Sequence, residues 1–302
     1  MMRIFITGAT GFIGQNLIKR IVNTSHEVIA LSRSCRREDL ITAENIEYVY
    51  DDLFNFYHLL KYSYGCDALI HLAGITSYYD IMNNPYAAYD CSIQGITNIL
   101  RICEINKIST LFFSSSGKVY EKCDKEIPMS ESYPTNPSTW MGKIKYQVEQ
   151  LIQLYSAINP NKTVIITRIF NAYGWKQNNK FLIPKLISSL DGKKICVCND
   201  NSKRDYVYIN DIVTAVLLLI ENPEAGYNVY NIGSGIGLNI SQIINIFEKI
   251  THKKLNIEFS SHENRINEGK YECADIAKIK FKGWEPAYNF EMGLTEMLIN
   301  VL

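Results

Sequence analysis

The chain has 302 residues, 47% of them hydrophobic, with 31 basic and 31 acidic side chains. That is enough apolar material for a large core and one or two domains, and the balanced charge excludes a field argument for nucleic acid or an anionic membrane surface. The 8 cysteines are scattered, and the opening run Met1 to Ile6 reads as a strand rather than a signal segment, so reduced thiols and a cytoplasmic location are expected. No apolar run reaches membrane-spanning length; Ile212 to Ile220 is the strongest and is too short. Cys196-Val197-Cys198 is too tight for zinc spacing and reads as part of a strand, so no metal is expected.

Arg3 to Ile6 is a short apolar run that ends in Thr7-Gly8-Ala9-Thr10-Gly11-Phe12-Ile13-Gly14. The amphipathic segment Gln15 to Val22 follows, then a second apolar run, Val28 to Leu31. This is strand, glycine turn, helix, strand, the pattern of a dinucleotide-binding unit. The glycines form the tight turn, let the backbone approach a pyrophosphate, and let helix pack on strand, while the helix N-terminus faces the phosphates. Gly8, Thr10, Gly11, Phe12, Ile13 and Gly14 are therefore candidate cofactor contacts.

The second strand ends in Leu31-Ser32-Arg33, where an NAD-specific fold places an acidic residue on the ribose hydroxyls. Ser32 and Arg33 suit a 2′-phosphate instead, so NADP is expected, with NAD possible. Asp52 and Leu53 after the third strand, and Leu72, Ala73 and Gly74 after the fourth, are placed beside the cofactor. His71 reads as a packed strand-end histidine.

Further apolar runs at Ile46 to Tyr50, Ala68 to Leu72, Thr110 to Phe113 and Val164 to Arg168 alternate with helical patterns. The fold class is therefore α/β, a doubly wound Rossmann-type parallel sheet. Residues 1–174 are assigned to the dinucleotide-binding domain. Residues 175–302 form mainly a smaller C-terminal α/β substrate-binding domain, with some elements free to return to the first. The long helical patterns Pro85 to Asn106 and Met141 to Ile158 carry apolar stripes that are core faces first, and a remaining exposed stripe would pair two copies as a homodimer.

In register, the chain resembles the extended short-chain dehydrogenases/reductases, the nucleotide-sugar epimerase and dehydratase family, over essentially its whole length. The resemblance rests on Thr7 to Gly14, Asp52-Leu53, His71-Leu72-Ala73, Gly95 to Leu100, Ser114 to Tyr120, Gly142 to Glu149, Arg168 to Gly174, Arg204-Asp205-Tyr206, and Ala274-Asp275 leading to Gly283-Trp284. It implies that Ser116, with Ser115, meets the sugar hydroxyl that is oxidised, and that Lys145 holds the nicotinamide ribose. It also implies a nucleotide-diphosphate sugar as substrate, with Asn171, Arg204 and Arg265 at the diphosphate and Phe181, Ile183 and Pro184 near the base.

One position departs from the family pattern. The tyrosine expected four residues before Lys145 is Met141, whose thioether cannot exchange a proton. Lys118 lies two residues after Ser116, where certain UDP-N-acetylglucosamine dehydratases carry a lysine together with a downstream Met-Gly-x-x-Lys. Lys118 is therefore the candidate proton carrier, although Gly117 stands where that branch has a catalytic aspartate. The expected reaction is a dehydration: oxidation at sugar carbon 4, abstraction of the carbon 5 proton and loss of water, of 4,6- or 5,6-type. A 4-epimerase, a 4-keto-sugar reductase, an engineered inactive variant and a non-catalytic cofactor-binding relative are the alternatives.

Overall fold

The structure, a computed structural model, describes residues 1–33, 40–198, 201–260 and 269–299. The apolar runs form strands β1 (Arg3–Thr7), β2 (Glu27–Ser32), β3 (Ile46–Tyr50), β4 (Ala68–His71), β5 (Thr110–Ser116) and β6 (Thr163–Ile169). Between them lie helices α1 (Phe12–Ile21), α2 (Phe56–Tyr62), α3 (Tyr78–Asn83), α4 (Pro85–Ile105) and α5 (Trp140–Ile158). After β6 come β7 (Asn171–Tyr173), α6 (Leu182–Ser188), β8 (Ile195–Cys198), β9 (Lys203–Tyr208), α7 (Ile209–Glu221) and β10 (Gly226–Ile232). The chain closes through β11 (Gly237–Leu238), α8 (Ile240–Thr251), β12 (Ile257–Ser260), β13 (Tyr271–Glu272), α9 (Ala277–Phe281) and α10 (Phe290–Ile299).

The main sheet has 7 strands in the order β10-β6-β5-β4-β1-β2-β3, and every pair in it is parallel. Alternate side chains of its central strands enter opposite cores. Ile4, Ile6, Ala68, Ile70 and Phe112 pack on the side that includes Leu17 of α1 and Val216 of α7. Phe5, Leu69, Leu111 and Phe113 pack on the side that includes Ile99 of α4 and Val148 of α5. A parallel sheet covered on both faces needs near-continuous apolar strands, which is how these runs read. The strand order reverses between β1 and β4, and the crevice at the carboxyl ends of the strands there is where such sheets bind ligands.

Gly226 to Ile232 is not one of the continuous apolar runs that mark the other strands of the sheet. The structure makes β10 the seventh strand of the main sheet, paired with β6 from Gly226 opposite Thr163 to Ile232 opposite Ile169. Residues between these two strands contribute to a second, 4-stranded sheet of β11, β9, β13 and β7, and β12 pairs with β8 in a third. Among the described residues, no helix is long and apolar enough to cross a membrane.

Candidate active site at the carboxyl end of the sheet

The glycine turn lies between β1 and α1, where Gly11 N–H donates to Gly8 O at 2.9 Å. Gly11 is the N-cap of α1 and offers no side-chain cap, so the helix N-terminal amides are left for an anion. A Cβ on Gly14 would lie 2.2 Å from Gly8 O; only glycine lets the helix sit this close to the turn. Thr10, Phe12 and Ile13 flank the turn and are half-buried. At the end of β2, Ser32 is buried and Arg33 exposed. Asp52 is exposed with Oδ1 accepting from Phe54 N–H at 3.0 Å, while Leu53 is buried beneath Gly95. This cradle fits the pyrophosphate and adenosine end of a dinucleotide.

Thr7 Oγ1 and His71 Nδ1 are 2.7 Å apart across the β1–β4 crevice. Burial, with Lys145 adding to it, pushes the His71 imidazole down to about 3, so it stays neutral and packs against Phe113. Leu72 and Ala73 continue the strand end, and Leu72 N–H donates to Thr7 O at 3.1 Å. Gly74 is next to Lys145, whose Nζ would lie 3.8 Å from a Cβ placed there. Lys145 is itself buried, and its Nζ donates to Ser114 O at 2.6 Å. Burial outweighs the attraction of Glu149 and lowers this ammonium to about 8.

Met141 stands one helical turn before Lys145 in α5, so the two share a face. It packs against the small cluster of Ile81, Ala88 and Ile144. The start of α5 is capped by Thr139, whose Oγ1 accepts from Gly142 N–H at 3.1 Å. A Cβ on Gly142 would lie 2.1 Å from Lys118 O; this contact brings the segment after β5 against the turn that carries Met141. Ser116 Oγ accepts from Lys118 N–H at 3.2 Å. Lys118 Nζ reaches both carboxylate oxygens of Glu272, at 2.9 and 2.8 Å. Both side chains are 12% exposed.

The expected substrate residues fall in several settings. Ser115 is buried and its hydroxyl donates to Glu149 Oε1, which turns it into the interior rather than toward a sugar. Asn171 Nδ2 donates to Asp205 O at 3.0 Å. Arg204 Nε is 3.5 Å from Glu272 Oε2. Phe181 is the N-cap position of α6, whereas Ile183 and Pro184 are buried residues of its first turn. Arg265 lies outside the described residues.

Three acidic residues without an assigned role in the sequence reading organise the site. Glu149 is 1% exposed and forks onto Arg168 through contacts of 3.2 and 2.7 Å, fixing α5 to β6, with Ser115 of β5 on the same carboxylate. Asp205 is wholly buried and accepts from Ser234 N–H, Gly235 N–H and Ala274 N–H at 2.7, 3.0 and 3.1 Å. Burial raises its carboxyl while these donors oppose the rise. Glu149 lies four residues after Lys145 at helical spacing, and Asp205 sits beside Arg204; those are sequence signals. Glu272 had none, because its partner is 154 residues away.

The NAD dependent epimerase/dehydratase family model matches residues 4–233. The chain belongs to that family. The sequence is 27% identical to an uncharacterised UDP-glucose epimerase, YtcB of Bacillus subtilis, over 97% of this chain and 96% of that one. It is 26% identical to the CDP-abequose synthase of Salmonella muenchen, over 98% and 97%. The fold is similar to that of MoeE5 in complex with UDP-glucuronic acid and NAD, with a TM-score of 0.90 at 23% identity, covering 99% of this chain and 100% of that one. Family membership makes this an NAD(P)-dependent nucleotide-sugar epimerase/dehydratase, and the glycine cradle with Lys145 at the crevice is the part of this chain that fits the cofactor.

Proposed function

We propose that this member of the family is an NADP-dependent nucleotide-sugar dehydratase. It oxidises sugar carbon 4, takes the carbon 5 proton and eliminates water from carbon 6, with Lys118 as the proton carrier at the carbon 4 oxygen. When bound, the nicotinamide supplies the hydride acceptor and donor. The observation that carries the reading is the position of Lys118. It is a half-buried cation just past Ser116, packed through its carbonyl on the turn that bears Met141, and so it supplies the exchangeable proton that methionine lacks.

The other residues have positioning work. Lys145 and the N-terminus of α1 hold the cofactor, Ser32 and Arg33 meet a 2′-phosphate, and Arg204 and Asn171 meet the substrate diphosphate. A second reading, reduction of a 4-keto sugar, is favoured by one feature: Lys118 Nζ, which carries the N–H donors a carbon 4 oxygen would need, is paired with Glu272 at 2.8 Å.

The test is incubation with UDP-glucose, UDP-N-acetylglucosamine, CDP-glucose, dTDP-glucose and GDP-mannose, with NADP or NAD, followed by product mass. Loss of one water, faster with NADP, is expected. An unchanged mass with inversion at carbon 4 would make the enzyme an epimerase. A 4-keto sugar supplied with NADPH and returned two mass units heavier would make it a reductase. No product from any of these would reject the catalytic reading.

A further inference from the structure

An ammonium has no lone pair. Lys118, held as an ion pair, therefore cannot take a proton from a hydroxyl unless it first gives one away. The structure places the Glu272 carboxylate within hydrogen-bond distance of its Nζ, at 2.9 and 2.8 Å. Glu272 lies on β13, whose pairing with β9 sets Glu272 opposite Arg204, and the pair borders a small pocket also lined by Gly117, Glu121 and Thr139. A half-buried ion pair of this kind adds little net stability, because desolvating both charges offsets their attraction. Fold stability is thus a weak explanation for it.

We propose that Glu272 is the proton store of the site, acting through Lys118 as a two-step relay. As carbon 4 is oxidised, Lys118 Nζ passes one N–H proton to Glu272 and takes the proton of the carbon 4 hydroxyl. Lys118 ends as the ammonium it was, Glu272 ends as the neutral acid, and the oxygen's electron pair closes the C4=O bond as hydride leaves carbon 4 for the oxidised nicotinamide. In a 4,6-type reaction the stored proton leaves with the carbon 6 hydroxyl as water, before hydride returns to carbon 6; in a 5,6-type reaction hydride returns to carbon 4 and the relay runs backwards. Glu272 is a positioning residue, since it acts through Lys118. Among the described residues, the charged and titratable groups facing the pair include Arg204 on β9 and, around the pocket, Tyr120, Glu121 and Lys122. This inference rests on the catalytic reading above.

The experiment has two arms. In the first, the initial rate of cofactor reduction is followed against pH for the parent, Glu272→Gln and Glu272→Asp, using whichever sugar nucleotide of the panel the parent oxidises. With the store in place, the parent rate is flat through mildly alkaline pH. Glu272→Gln is about 100-fold slower at neutral pH, and its residual rate climbs about tenfold per pH unit as Lys118 must lose its own proton to solvent. KM stays within about threefold, and Glu272→Asp recovers part of the rate. A loss of rate equal at every pH would mean that Glu272 only holds Lys118 in place, and a rate within about threefold of the parent would also overturn the relay.

The second arm needs no turnover. Lys118 labelling by an amine-specific reagent is read by peptide mass spectrometry in parent and Glu272→Gln cofactor-free protein. Faster labelling at a lower pH in Glu272→Gln is expected, because removing the carboxylate frees the amine. Equal labelling would show that the pair does not form and would sink the proposal. A panel with no substrate but a positive labelling result would instead count against the catalytic reading alone.

Discussion

At the scale of single residues, Lys145 is the group whose surroundings most alter its chemistry. It sits buried at the crevice with its ammonium on Ser114 O and its acidity increased to about 8 from an ordinary 10.5. In cofactor-free protein the unfolded chain therefore keeps a proton that the folded chain releases between those two values. More protons bound in the unfolded state means stability that rises with pH across that window. The penalty for burying the charge is full below pH 8, at about 3 kcal/mol, and is gone above 10.5. Lys145→Met is accordingly expected to be more stable than the parent in urea at pH 7 and to lose that lead by pH 10.5. A gap that does not narrow would show that Lys145 is not held at this reduced affinity for its proton. Much of this was legible beforehand: Lys145 and Met141 are four apart in one helix, so their shared face follows from spacing. The partner of Lys118 was not legible, since the Glu272 pairing depends on how β13 docks onto β9.

Among the elements, β5 and α5 form the working edge, and the Glu149–Arg168 fork joins them to β6. Both side chains are almost fully buried, at 1% and 7% exposed, and Ser115 adds a hydroxyl to the same carboxylate. Removing one charge leaves the other uncompensated, which costs about 3–5 kcal/mol. Glu149→Gln should therefore lose about that much in equilibrium unfolding, while a loss below about 1 kcal/mol would mean the pair is relaxed by water. The strands of this edge were readable because Thr110 to Phe113 and Val164 to Arg168 are continuous apolar runs. The place of β10 was harder to read. Its sequence, Gly226 to Ile232, carries two Tyr-Asn pairs either side of Val229, and its first four residues are only half-buried, so it lacks the apolar run that marked its neighbours. Asn231 shows why polar residues serve there: its side chain accepts from Tyr120 and donates to Met129 O and Asp275 O.

For the whole molecule, α4 and α5 lie side by side with apolar residues left on their outer faces. Ile99, Ile102, Val148 and Ile152 fill the core as the stripes suggested. Leu154 and Ile158, at 68% and 80% exposed, point away from it, with Tyr86 and Trp140 also uncovered at the other end of the pair. A second copy meeting this surface around a twofold axis would bury these residues in a four-helix arrangement. The parent is expected to scatter light as a dimer at tens of micromolar, and the double variant Leu154→Glu, Ile158→Glu as a monomer. A monomeric parent would exclude this assembly.

The return of β10 to the main sheet also orders events as the chain leaves the ribosome. When β6 has emerged, its outer edge is a row of unpaired amide and carbonyl groups on a wholly buried, apolar strand, a template for pairing with the wrong chain. That edge stays open until Gly226 to Ile232 follows, after the intervening turns of β7, α6, β8, β9 and α7 have been made. The last strand therefore acts as a closing seam. It completes the nucleotide-binding half only after β7 and β9 have been threaded in, and a nascent chain stalled between β6 and β10 is exposed to aggregation at the stage when it already has most of its core.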